Sequence, residues 1–260
     1  MNILVAPFVN ALFGLYYWLG NLGWAVILVT VVIRLVLLPL VLPSMKSAER
    51  MQELKPRLDK LKAKYGKNKE KMAKAQMDLY KNEGVNPMAG CLPQILQIAV
   101  LLMFFSAFRM VTDYASGKGD LGKINSHLMV NFRIEEGFVF NADFFGSNLI
   151  QTPAGVFKEG GAAKMILPII LLVGSGLLQF LSAKKMMPTA KVDQAVAKKT
   201  KDKEDDMTVM MKNQSTYMMP AMTLIIGWSF SLGMLLYWFV NSAMMLGQQM
   251  VMKKGKSGNW

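Results

Sequence analysis

The residue best placed to do chemistry is Arg34, which stands inside an otherwise uncharged run from Leu22 to Pro43. A guanidinium near the middle of a bilayer costs between about 2.5 and more than 10 kcal/mol, depending on the scale, so it must face water or a partner. An ion pair is the simplest partner, but no Asp or Glu occurs in any of the long apolar runs of this chain. An unpaired cation in a hydrated cavity is the alternative, and neutral polar residues at helical spacing could line one. Thr30 lies one turn before Arg34. Gln94 and Gln97 are three apart; Ser175, Gln179 and Ser182 follow i, i+4, i+7; and Trp238, Asn241, Met245 and Gln248 follow i, i+3, i+7, i+10. Each set shares one helix face. Taken singly, any Gln or Asn could equally hydrogen-bond between helices; four stripes together with one arginine point to a shared hydrated groove.

Other chemistries lack their parts. The sequence holds no Gly-rich phosphate loop, no metal-ligand cluster and no Ser/His/Asp set, so neither an enzyme nor a bound cofactor is expected. His127 is the single histidine and Cys91 the single cysteine, which excludes an internal disulfide. The 23 methionines suit either ordinary packing or an adaptable apolar surface.

The elements that must position these residues follow from composition. Of 260 residues 53% are hydrophobic and 18% charged, while the formal net charge is +13. A soluble domain averages about 25% charged residues, so the bilayer is the expected solvent and the basic excess belongs in loops. The runs Leu22 to Pro43, Cys91 to Val111 and Met165 to Ser182 are each long enough to cross about 30 Å of hydrocarbon. Tyr217 to Met252 is 36 uncharged residues, roughly 54 Å as one helix. That is too long for one span, and the Gly227 to Gly233 run supplies the residues for a reversal.

The expected class is therefore an all-α membrane protein with five transmembrane helices, a cytoplasmic antiparallel helical hairpin and a hydrophilic groove. In boundaries, residues 1–21 form an extracytoplasmic interfacial helix, 22–43 the first span, 44–90 the cytoplasmic hairpin and 91–111 the second span. An extracytoplasmic loop over 112–164 leads to the third span at 165–182. A cytoplasmic loop over 183–216 precedes the fourth and fifth spans at 217–232 and 233–252, and 253–260 is a cytoplasmic tail. Orientation rests on charge: Met45 to Gly90 holds twelve basic residues against six acidic, whereas Thr112 to Lys164 holds five against six. Basic loops stay inside, which puts the N-terminus outside and the C-terminus in the cytoplasm.

Within the basic segment Met51, Leu54, Leu58, Leu61 and Tyr65 step by 3, 4, 3, 4, a coiled-coil seam, with Pro56 expected to bend the arm or start it afresh. Met72, Gln76 and Leu79 form a weaker second seam after a turn at Gly66. The pair is either a solvated basic hairpin or a dock for ribosomal RNA, acidic lipid or a nascent chain. At the N-terminus Phe8, Leu12, Tyr16 and Leu19 recur at helical spacing, which fits an interfacial helix; the remnant of a leader is the other reading.

Three stretches carry a resemblance. W-A-V-I-L-V-T-V-V-I-R-L-V-L-L-P from Trp24, M-D-L-Y-K-N-E-G-V-N-P-M-A-G-C-L-P-Q-I-L-Q from Met77, and Leu236-Tyr237-Trp238 followed by Asn241 and Gln248 resemble the YidC/Oxa/Alb membrane-protein insertase family. The resemblance implies a groove open to cytoplasm and lipid but closed outside, with Arg34 as the family arginine, Gln179 as the polar residue of the third span and Trp238 as the aromatic of the last. It further implies an insertase and membrane chaperone of the bacterial cytoplasmic membrane. Its partners would be nascent membrane-protein clients and the lipid bilayer, with the Sec translocon, the signal recognition particle receptor and the ribosome beside them, and without specific DNA binding. The competing class is a small-solute or anion transporter built on Arg34; such proteins usually show internal repeats with interrupted helices, which this sequence lacks.

Overall fold

A computed structural model describes residues 2–65, 68–86, 92–186 and 214–257. The described chain is mostly helical. Among the described residues, three helical stretches are long and apolar enough to cross a membrane: Leu22–Met51, Ile95–Ala115 and Ala162–Lys185. Their outward faces are apolar: Val32, Leu35, Val36 and Leu40 on the first and Ile166, Ile169, Ile170, Val173 and Leu177 on the third are all exposed. Such stripes are what helices present to lipid rather than to water.

Two compact units divide the chain, one made of Met1–Arg34 with Leu102–Trp260, the other of Leu35–Leu101. In the first, α1 (Asn2–Leu19) buries Val5, Phe8, Val9, Leu12, Phe13 and Tyr16, a stripe at the 3.6-residue period. Leu19, expected on the same stripe, is half-buried. Gly20 takes φ +65° and turns the chain into α2 (Leu22–Glu53). That helix carries Pro39 and Pro43 internally and continues ten residues past Pro43, where the span was expected to end.

Further along the first unit come the latter part of α5 (Leu92–Ala115), a folded connection, and α8 (Ile166–Met186). A π-helical turn over Gln214–Met218 leads into α9 (Met219–Gly227), and α10 runs over Leu232–Ser257. The expected reversal is present, since α9 stops at Gly227 and α10 starts at Leu232. The expected cytoplasmic loop falls mainly at 187–213, outside the described residues, as does the tail beyond 257.

The connection between α5 and α8 has its own order. It contains α6 (Leu121–Asn125), a two-residue antiparallel ribbon of β1 (Asp143–Phe144) and β2 (Ser147–Asn148), and α7 (Pro153–Glu159). Phe145 at φ +48° and Gly146 at φ +75° make the tight turn of that ribbon, which needs positive φ at both positions. The connection is pinned to helix ends. Leu22 N–H donates to the Asn141 carbonyl at 2.9 Å, and Leu232 and Gly233 N–H donate to Gln151 and Leu149 carbonyls at 2.8 and 2.9 Å. These last two bonds satisfy amides that the first turn of α10 would otherwise leave open. Asn10 of α1 reaches the same connection, donating to the His127 carbonyl at 2.7 Å and accepting from Met129 N–H at 2.6 Å. Phe13 and Tyr16 meet Phe140 edge-on at 5.6 and 5.5 Å.

In the second unit, α3 (Lys55–Tyr65) and α4 (Lys69–Asn82) pack around Leu54, Tyr80 and Val85, with Met51 and Leu58 against them. Leu54 marks the break between α2 and α3, and Pro56 sits in the first turn of α3, where its missing N–H costs nothing. The expected seam is therefore shared between two helices rather than carried by one: Met51 is on α2, and Leu58, Leu61 and Tyr65 are on α3. Asn68 caps α4 by accepting from Lys71 N–H at 3.0 Å, and Arg57 is paired with Glu83.

Candidate functional site

Arg34 lies in the middle of α2, half-buried, and its partner comes from α10. Nε donates to Oδ1 of Asn241 at 2.6 Å, and Nη2 lies 3.4 Å from the Asn241 carbonyl oxygen. The expectation of an unpaired cation is corrected here: a carboxamide, which carries no charge, accepts from the guanidinium. The carboxamide fixes the direction of the guanidinium. One turn earlier on α10, Tyr237 is 1% exposed and stacks on Phe104 of α5 at 4.4 Å. Phe104 in turn stacks on Phe108 at 5.6 Å and meets Phe8 of α1 edge-on. A column of rings thus runs from the N-terminal helix to the wall beside the arginine.

That column requires Gly233. A Cβ built there would lie 2.0 Å from the Phe108 ring, and Phe108 is fully buried, so α10 and α5 can be this close only with glycine at the crossing.

The other polar residues fall into separate places. Thr30 is buried and returns its hydroxyl to the Val26 carbonyl of its own helix at 2.6 Å. Ser175 does the same with Leu171 at 2.5 Å. Gln179 accepts from Thr223 of α9 at 2.8 Å, and Thr223 also donates toward the Met219 carbonyl at 3.1 Å. Trp238 is half-buried against Phe230 at 5.4 Å, one position around the helix from Tyr237 and next to the α9–α10 turn. Gln248 is half-buried further along α10, its Oε1 without a hydrogen-bond partner. Gln97 is half-buried in the second unit, and the side chain of Gln94 lies outside the described residues.

Arg34 and Asn241 are thus brought together, while Thr30 and Ser175 spend their hydroxyls on their own helices. Two participants escape sequence reasoning. Tyr237 reads as one more apolar position, although its i, i+4 relation to Asn241 places it on the same face. Thr223 is a lone hydroxyl in the run Met218 to Gly227, a signal visible in the sequence but without an address. Chemically the arrangement offers an oriented cation and neutral hydrogen-bonding groups between apolar helices. Among the described residues no three metal-ligating side chains come together.

Comparison with known proteins is consistent over most of the chain. The family model described as 60Kd inner membrane protein matches residues 14–259. A protein of Streptomyces avermitilis named membrane protein insertase YidC is 29% identical over 243 residues, covering 89% of this chain and 52% of that protein. The protein of the same name from Syntrophobacter fumaroxidans is 29% identical over 248 residues, 95% of this chain and 37% of its own length. That of Roseobacter denitrificans reaches 44% identity over 108 residues, 42% of this chain and 17% of its own. The chain spans about half the length, or less, of these curated relatives.

Proposed function

Because the chain belongs to the 60Kd inner membrane protein family, the YidC/Oxa/Alb insertases, we propose that it inserts newly made membrane proteins into a bacterial cytoplasmic membrane. It does so by lowering the barrier for a polar segment to cross, not by hydrolysing anything. Five helices span the bilayer in this reading, namely the first part of α2, then α5, α8, α9 and α10, with the N-terminus outside and the C-terminus inside. The pair α3 and α4 is then a cytoplasmic hairpin that first meets the client. The working partners are nascent clients and lipid, with the Sec translocon, the signal recognition particle receptor and the ribosome acting upstream.

One observation carries this reading: Arg34 is held by the neutral Asn241 between helices whose outer faces are apolar. Asn241 adds no counter-charge to the guanidinium, which in this reading attracts an acidic segment. The attraction strengthens as water thins out around it, and the membrane potential adds about 2.3 kcal/mol per charge at 100 mV. Gln179, Trp238 and Gln248 of the same unit complete the proposed groove.

The test is reconstituted insertion into liposomes, read by protease protection of a small client with an acidic outer segment. Arg34→Ala is expected to lower protection of that client about tenfold, the scale of one lost charge-assisted contact, and to leave a client with an uncharged outer segment nearly unaffected. Equal loss for both clients, with the variant still folded, would overturn the electrostatic role; no protection with the wild-type protein would overturn the insertase reading.

A further inference from the structure

Phe145 combines two features that rarely meet. Its φ of +48° lies in the left-handed region, where a phenylalanine is strained and Asn or Gly is the usual choice. Its side chain is 76% exposed, so packing inside the protein does little to offset that strain. The ribbon that carries it is held at a fixed height. Asn21 Nδ2 donates to the Asp143 carbonyl at 2.9 Å, and a Cβ on Gly23 would lie 2.2 Å from the Phe144 ring, so the ribbon is pressed on the first turn of α2. Ser147 Oγ donates to the Lys164 carbonyl at 3.2 Å, two residues before α8 begins. With the bonds from Leu232 and Gly233 to Gln151 and Leu149, the ribbon and the chain after it are tied to the starts of three long helices.

Aromatic side chains collect at that height. Trp24 is 51% exposed and meets Phe144 edge-on at 5.5 Å. Phe157 of α7 is 65% exposed with its ring 6.0 Å from that of Trp228, and Ala154 N–H donates to the Trp228 carbonyl at 3.3 Å. Charge avoids the same stretch. All eleven charged residues of 112–164 lie before Phe144 or after Phe157, and none lies between. Exposed rings at the ends of apolar helices match the boundary between lipid headgroups and acyl chains, where aromatic residues gather. A headgroup phosphate fits poorly as the contact, since the stretch offers it no Lys or Arg. The upper acyl region of a phospholipid fits both the rings and the missing charge.

Resting on the insertase reading above, in which α2, α8 and α10 span the bilayer, we infer that residues 144–157 form a lipid anchor, with Phe145 and Phe157 sunk into the outer leaflet at the headgroup boundary. The anchor sets the depth of the site. Arg34 follows Trp24 by ten residues, about 15 Å along α2, which brings it near the middle of a hydrocarbon core of about 30 Å.

The test uses the full chain with Cys91→Ser in phosphatidylcholine and phosphatidylglycerol vesicles, carrying one bimane-labelled cysteine at a time. One quencher is a phospholipid with a nitroxide high on its acyl chain; the other is iodide in the water. Labels on Phe145→Cys and Phe157→Cys should lose emission to the lipid nitroxide and keep it in iodide. A label on Glu136→Cys, in the charged part of the same connection, should do the opposite. Phe157 lies on helical backbone, so its label reports independently of the strained turn. Val32→Cys, on the exposed face of α2, reports on the spanning helix itself. Iodide quenching at 145 or 157, with lipid quenching at 32, would overturn the anchor and leave the spanning helices standing. Iodide quenching at 32 would overturn the spanning reading, and the anchor with it. Shielding of 145 and 157 from both quenchers would mean that protein, such as a second copy of the chain, covers the rings, and would overturn the lipid assignment.

Discussion

The pairing of Arg34 with Asn241 separates two properties that a buried ion pair would join, since the amide fixes the guanidinium without neutralising it. Replacing Asn241 tests both. Asn241→Leu removes an acceptor from a charged donor, a loss of about 1.5–3 kcal/mol, and should lower insertion of acidic clients roughly tenfold in the protease-protection assay. Asn241→Asp keeps the geometry but supplies a counter-charge. It should abolish the preference for acidic over uncharged clients while the protein melts no lower, because breaking a buried pair, not completing one, is the destabilising change. A preserved preference in Asn241→Asp would mean that the charge of Arg34 does not act on the client. Arg34 was conspicuous in the sequence because a charge in an apolar run is expensive wherever the chain goes. Its partner was only one of several polar residues at suitable spacing, since which stripe meets which is decided by helix packing. Thr223, holding Gln179 from another helix, was illegible for the same reason.

Among the elements, the ones legible in the sequence are those whose signals are local. The reversal between α9 and α10 follows from Gly227 and Gly233 in an apolar run too long for one span, and Pro56 marks the start of α3. The order of the connection between α5 and α8 rests instead on bonds such as Asn10 to His127, 117 residues apart, and no local pattern announces them. Close crossings are similarly silent until seen: Gly233→Ala should force Phe108 or α10 to shift and cost about 1–3 kcal/mol, read as a lower melting temperature of the purified protein in detergent. An unchanged melting temperature would show that the crossing has slack. In the second unit, Tyr80 is 8% exposed and, among the described residues, packs with Leu54 and Val85 and with Met51 and Leu58 against them. Tyr80→Ala, at about 3–5 kcal/mol for a buried aromatic, should open α3 and α4 to limited proteolysis within 55–82 and leave α8 and α10 protected. The exposed pair Arg57 and Glu83 offers at most about 1 kcal/mol against this.

For the whole molecule, the decisive property is which loops lie on which side, and here charge and structure bear on it independently. The segment 45–90 carries twelve basic residues against six acidic, and 112–164 carries five against six. Retaining the first and translocating the second is the inexpensive arrangement against a potential worth about 2.3 kcal/mol per charge at 100 mV. The connection 112–164 has fewer than 60 residues, so its charges still count toward orientation. The structure adds a constraint that charge cannot supply. Asn10, the start of α2 and the start of α10 are all bonded to that connection, so α1 and the α9–α10 turn must share its side. If 112–164 is outside, α1 is outside too. A thiol introduced at exposed Lys118 in a Cys91→Ser background should react with a membrane-impermeant reagent in intact cells, and one at exposed Lys74 only after permeabilisation. A thiol at exposed Ala11 of α1 must follow Lys118 in either case. The reverse labelling of Lys118 and Lys74 would invert the orientation and place the basic hairpin outside, where it could not meet a chain leaving the ribosome. Opposite behaviour of Ala11 and Lys118 would break the packing of α1 on the connection, and with it the ring column that ends beside Arg34.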